Sequence, residues 1–268
     1  MKLTMTRLLL FSSFSLCLAA GPAAVVANDL EEQYRQAQEA RAAEDFEQAL
    51  TLFEQALAEN PDSLRLASEY RMTVIEAGAY DRALAFFQEL TSDNPQAAYA
   101  FLNYGLAYVD KIPSAGSITQ VLLANKSLKH FTRSVEIRPT WLGLYTRGNS
   151  YLFWPKVFNR APLGVADLEK AYAMQQDQPK RSYHLRVYLS LGDGYYKVGR
   201  EEEAKAMWRK GLSEFPSSRK LKRRVEASGE ALAQVVDAGY DPNVRVDSDL
   251  RELWSQQQPS SQGGEEQP

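Results

Sequence analysis

The chain has 268 residues, of which 44% are hydrophobic and 24% charged, and its formal net charge is −3. That length supports a real core in one or two domains, and a mildly acidic balance excludes bulk nucleic-acid binding. The single cysteine, Cys17, lies near the N-terminus, so the remainder is excluded from thiol catalysis, cysteine–metal ligation and disulfide bonding.

In chain order, Lys2 and Arg7 precede an apolar run from Leu8 to Ala20. Small residues follow, and Val25-Val26-Ala27 satisfies the small-x-small cleavage rule. Residues 1–27 read as a secretory signal peptide cut before Asn28. The run is shorter than the roughly 20 residues that span a bilayer, so no stable membrane insertion is expected after cleavage. Leu16, before Cys17, argues against a lipid anchor. The mature chain is expected to be exported, periplasmic or secreted.

A period of 34 residues then sets in, with Ala49, Phe53 and Pro61 repeated at Ala83, Phe87 and Pro95. The same unit recurs as Ser127-Phe131-Pro139 and Ala204-Trp208-Pro216. An upstream half matches it: Phe101-x2-Tyr104-Gly105-x2-Tyr108, Leu144-x2-Arg147-Gly148-x2-Tyr151, and Tyr188-x2-Leu191-Gly192-x2-Tyr195. Small residues permit close helix approach, aromatics fill the space between helices, and proline ends a helix it cannot continue. On these residues the chain resembles the tetratricopeptide-repeat (TPR) family over about Asp29 to Pro216.

The resemblance implies an all-α, right-handed superhelical solenoid of about five helix-turn-helix repeats, at 28–62, 63–96, 97–140, 141–180 and 181–216. A capping helix over 217–240 is expected to close it. Its cluster Arg219, Lys220, Lys222, Arg223 and Arg224 reads mainly as a solvated face. The tail, 241–268, is expected to be mostly disordered. Within it a short helix near 247–254 would begin at Asp247 or Ser248 and place Leu250, Leu253 and Trp254 on one side. In the second repeat, Arg71 stands where a small residue is usual and is expected to lean out of the core along its stem.

Two repeats are longer than the others. The signature positions that bracket the helix A–helix B turn lie nine residues apart in repeats one, two and five. They lie 19 apart in repeat three (Tyr108 to Ser127) and 13 apart in repeat four (Tyr151 to Gly164). Both insertions read as widened turns on one edge of the superhelix, the second running from Pro155 to Pro162 with helix B starting at Leu163. Insertions on one edge often build a binding face. Phe153, Trp154, Phe158 and Arg160 are the candidates there, unless these rings simply pack on the longer loop of repeat three.

Carrying the family register over, helix A lines the concave groove. That places Tyr99, Leu102, Leu106 and Val109 there from repeat three, Tyr145, Asn149, Leu152 and Phe153 from repeat four, and Arg186, Leu189, Asp193 and Tyr196 from repeat five. An apolar, aromatic groove suits an apolar peptide, an amphipathic helix or a small organic ligand. The cationic positions of the family's carboxylate clamp are here Tyr34, Gln38, Ser68 and Met72, so an acidic tail is not expected as ligand. His130 and His184 have no partner at metal-ligand spacing, and no phosphate loop or nucleophile elbow is present, so neither cofactor nor metal nor catalytic residue is assigned.

The expected role is therefore a non-catalytic interaction scaffold of the bacterial cell envelope, holding a protein or peptide partner. The alternative is a soluble periplasmic protein that binds a small apolar or amphipathic ligand, as an accessory of a transport system. A peptide groove would be open; a ligand site would be enclosed, with Trp154, Phe158 or the Trp254 segment as its lid. Homo-oligomers through stacked repeat ends are possible on either reading.

Overall fold

Residues 22–253 are described by the computed structural model, with side chains from Leu30 onward. Ten helices form five antiparallel hairpins. These are α1 (Pro22–Ala42) with α2 (Phe46–Glu59), α3 (Leu64–Ala77) with α4 (Tyr80–Asp93), and α5 (Ala98–Lys111) with α6 (Ser117–Ile137). They continue with α7 (Trp141–Leu152) and α8 (Ala161–Gln176), then α9 (Leu185–Lys197) and α10 (Glu201–Glu214). The architecture is an all-α solenoid, as the family resemblance implies.

Local chemistry sets the helix ends. Asp45 Oδ1 accepts from the Gln48 amide at 3.1 Å, Ser63 Oγ from Leu66 at 3.3 Å and Thr140 Oγ1 from Gly143 at 3.0 Å, each satisfying an otherwise orphaned N–H. Gly78 ends α3 in the left-handed region at φ 66°. Glu44, 34 residues earlier, adopts the same conformation at φ 60° in the α1–α2 turn, where a side chain is strained.

Between hairpin partners the period places glycine against an aromatic ring. A Cβ on Gly192 would overlap the Trp208 indole, and Trp208 is fully buried. The core forms two clusters along the array. Leu50, Phe53, Tyr70, Phe87 and Tyr104 belong to the first, and Phe131, Leu152, Leu168, Leu191, Trp208 and Leu221 to the second.

Four expectations need correction. The ten extra residues of repeat three do not form a long loop. After a short 3-10 turn, Ile112–Ser114, they lengthen α6 to 21 residues, against 14 for α2 and α4. The turn-forming letters of Pro113, Ser114 and Gly116 occupy only the start of the insertion; Ile118 to Leu123 already carry helical spacing.

In repeat four, α8 begins at Ala161 rather than Leu163, with Pro162 in its first turn, where a missing N–H does no harm. The single helix expected over 217–240 is two, α11 (Arg219–Glu226) and α12 (Gly229–Asp237), followed by a 3-10 turn. Finally, the tail up to Leu253 is not a loose end. It holds no helix over 247–253 beyond a 3-10 turn at Arg251–Leu253, and it packs into the solenoid. Residues 1–21 and Trp254 onward, including most of the expected signal peptide, lie outside the described residues.

Candidate functional site

The concave face is built from α3, α5, α7 and α9, one helix from each successive hairpin, and residues Val244 to Leu253 run back across it as a strap. Two buried Arg–Asp pairs mark its floor. Arg71 is fully buried. Its Nε donates to Asp110 Oδ2 at 2.9 Å, its Nη1 to Asn103 Oδ1 at 3.1 Å and its Nη2 to the Ser248 carbonyl at 3.2 Å. The Ser248 hydroxyl donates to the other Asp110 oxygen at 2.6 Å. Arg71 thus does not lean out of the core; the strap covers it and supplies the acceptor that a buried guanidinium requires.

The second pair lies under the cap. Arg224 donates to both Asp193 oxygens at 2.6 and 2.8 Å, and Trp208 Nε1 and the Tyr240 hydroxyl complete the set at 3.2 and 3.1 Å. Burial opposes the Arg224 charge, yet Asp193 holds its pKa above the ordinary value. Burial pushes the Tyr240 phenol up, so it stays a donor. Arg224 therefore does not belong to a solvated basic face. It is buried because Asp193, whose own alternative is an unpaired carboxylate, turns it inward.

Arg186 of α9 holds the strap from outside, at 3.1 Å from Asp247 and 2.7 Å from Glu252. Burial raises the Glu252 pKa, with Arg186 working the other way. Leu250 is buried in the core. The groove therefore takes carboxylates as well as apolar groups, contrary to a purely apolar reading. The clamp positions of the first repeats are neutral, but Arg71 and Arg186 provide cationic donors elsewhere on the same face.

Beside the strap lies a cavity of about 1160 Å³. Of the ten residues expected in the site, Leu106, Val109, Tyr145, Asn149, Phe153, Trp154, Phe158 and Arg160 line it. Tyr99 and Leu102 do not. The Tyr99 amide donates to Asp62 at 2.6 Å and Arg138 covers its ring at 4.6 Å, while Leu102 is fully buried between helices. Phe153 meets the edge of Tyr240 at 5.0 Å, and Trp154 meets Phe158 at 5.5 Å. The Arg160 guanidinium lies 3.6 Å over the Trp154 ring and donates to Asn125 Oδ1 of α6 at 3.1 Å. The turn of repeat four thus leans on the lengthened helix of repeat three. Val246, Leu250 and Leu253 of the strap form the opposite wall.

The two histidines are packing residues. His130 lies 3.9 Å from the Tyr104 ring and stacks on Tyr108 at 5.6 Å, and burial, aided by Lys129 and Lys126, lowers its pKa to about 4. His184 Nδ1 accepts from the Arg181 amide at 3.3 Å. Among the described residues no group of three His, Cys, Asp or Glu side chains could hold a metal, and no helix is long and apolar enough to cross a membrane.

A family model for the tetratricopeptide repeat matches residues 40–102. The chain carries tetratricopeptide repeats. Solved TPR structures share the fold. A thermophilic TPR protein of Thermus thermophilus is 22% identical, with 76% of this chain and 99% of that one covered at a TM-score of 0.51. A TPR protein from Parabacteroides merdae is 16% identical, with 87% of this chain and 82% of that one covered at a TM-score of 0.52. No curated protein sequence matches the chain. A TPR array is in general a surface for protein partners rather than a catalytic fold.

Proposed function

We propose that this TPR protein is a non-catalytic scaffold of the bacterial cell envelope that takes an extended segment of a protein partner along its concave face. The observation that carries this reading is the strap. The groove already holds an extended peptide, its own residues 244–250, by a backbone carbonyl on Arg71, a hydroxyl on Asp110 and a carboxylate on Arg186. A surface that binds one extended segment in cis has the donors, acceptors and apolar pocket to bind another in trans. A partner of this kind presents a small hydroxyl residue next to an acid, with a leucine two positions after the hydroxyl.

The test uses Leu250→Asp, which removes the strap's apolar anchor and leaves the helices untouched. A fluorescent peptide of sequence NVRVDSDLRELW, residues 243–254, should bind this variant and compete with the partner, while the unmodified chain resists it. Absence of binding to the variant would sink the reading. Export rests on the N-terminal sequence; the mature N-terminus of secreted material should read Asn28.

A second reading keeps support from the cavity. A volume of about 1160 Å³ walled by Tyr145, Phe153, Trp154 and Leu250 is ample for a small apolar or amphipathic ligand. Native mass spectrometry of chain purified from its own envelope decides between them: a bound small-molecule mass lost in Trp154→Ala favours a ligand carrier.

A further inference from the structure

Among the described residues, six of the eight large apolar side chains left exposed lie in or beside the two insertions: Ile118, Val121 and Leu122 on α6, Val157 and Phe158 at the repeat-four turn, and Leu163 in the first turn of α8. Val157 and Ile118 are 85% and 84% exposed, so they protrude rather than line a hollow. The two groups are neighbours, because Arg160 bonds Asn125, and Val121 and Phe158 share one cavity mouth.

The surrounding charge is of one sign. Between residues 111 and 166 the sequence contains a single acid, Glu136, although the chain as a whole is acidic. Lys111, Arg133, Arg138 and Arg147 are taken up by Asp81, Glu136, Asp62 and Asp167. Lys126, Lys129, Lys156 and Arg160 have no carboxylate partner among the described residues. On α6 the spacing 118, 121, 122, 125, 126, 129 puts Ile118, Val121 and Leu122 on the same face as Lys126 and Lys129.

From these observations we infer that this edge docks on a lipid surface bearing anionic headgroups. Val157, Phe158, Ile118 and Leu122 enter the headgroup–acyl boundary while Lys126, Lys129, Lys156 and Arg160 meet the headgroups. Protruding aliphatic tips inside a basic rim match an interface that is apolar below and negative above. A protein interface centres on fully desolvated pockets instead, whereas Val157, Ile118 and Leu122 stand outside the cavity that Phe158 borders. Phe158, Lys156 and Arg160 also border the cavity beside the strap, but Ile118, Leu122, Lys126, Lys129 and Val157 do not line it, so the surface stands whether or not that groove binds a peptide.

The experiment uses the mature chain, residues 28–268, which contains no cysteine, with an environment-sensitive fluorophore on Val157→Cys. A control carries the probe on Glu230→Cys of α12, exposed and outside the patch. Vesicles of phosphatidylcholine with phosphatidylglycerol should blue-shift the Val157 probe and leave the Glu230 probe unchanged. Pure phosphatidylcholine or raised salt should abolish the shift.

Lys126→Glu with Lys156→Glu and Arg160→Glu should weaken partitioning by about tenfold or more, since each basic side chain near an anionic surface contributes. An unchanged melting curve confirms that the variant folds. A Val157 probe that stays in water overturns the proposal, because binding would then run through another part of the chain. So does an equal shift of both probes. A Val157 probe silent on vesicles but shifted by a purified protein partner reassigns the patch to protein.

Discussion

The two buried Arg–Asp pairs on the concave face are chemically alike and structurally unlike. Arg224 and Asp193 are sealed by regular elements: α11 supplies the arginine, α9 the aspartate, and Tyr240 follows directly on α12. Arg71 and Asp110 are sealed by Ser248, 177 residues downstream of the arginine, in a segment with no helix of its own. One pair is closed by the stacking of neighbours, the other by a strap that can lift. A buried ion pair is costly to break only if water cannot reach the survivor. The first pair should therefore behave as core and the second as a latch.

Arg224→Ala should have the largest effect. It strands Asp193 beneath Trp208 and Tyr240 and should cost about 3–5 kcal/mol in urea unfolding. Arg71→Ala should cost less, about 1–3 kcal/mol, because the strap can detach and admit water to Asp110. In a Leu250→Asp background the Arg71→Ala penalty should largely vanish, since both changes release the same segment. Full additivity would make the two pairs equivalent and remove the latch.

Smaller effects sharpen the picture outside the pairs. His130 has its folded pKa lowered, to about 4 from 6.5. The unfolded chain then binds more protons in that window, so the contribution of His130 is present above about pH 6.5 and lost as pH falls towards 4. A His130→Phe variant should lose less melting temperature between those two pH values than the parent does. Least of all, Glu44→Gly should raise stability by about 1 kcal/mol, by relieving the left-handed backbone that Gly78 adopts freely one repeat later.

Much of this was legible in the sequence. The 34-residue period located the hairpins, because glycine facing aromatic and proline after helix B are local requirements that recur from unit to unit. The family register placed Leu106, Val109, Tyr145 and Asn149 on the lining face, together with Tyr99 and Leu102, which do not line the cavity. The strap was not legible. The spacing of Leu250, Leu253 and Trp254 reads as a short helix rather than an extended segment, and the partners of Val244 to Leu253, namely Arg71, Asp110 and Arg186, are far away in sequence. Arg71 and Arg224 each look like surface cations until the carboxylate across the groove is known. The length of α6 was masked by Pro113 and Gly116, which open the insertion as a turn would.

The strap also changes the mechanics of the fold. In an open solenoid each repeat touches only its neighbours, so the coil can stretch, twist and fray at its ends independently. Here a chain segment leaving the last hairpin is laced back to the second, much as a drawstring gathers a coil. With the lacing in place, the second, third and fifth hairpins are tied to one segment and cannot shift independently. Without it the same helices form an elastic spring, so whatever displaces residues 244–250 changes the shape of the whole array and not only the occupancy of its groove.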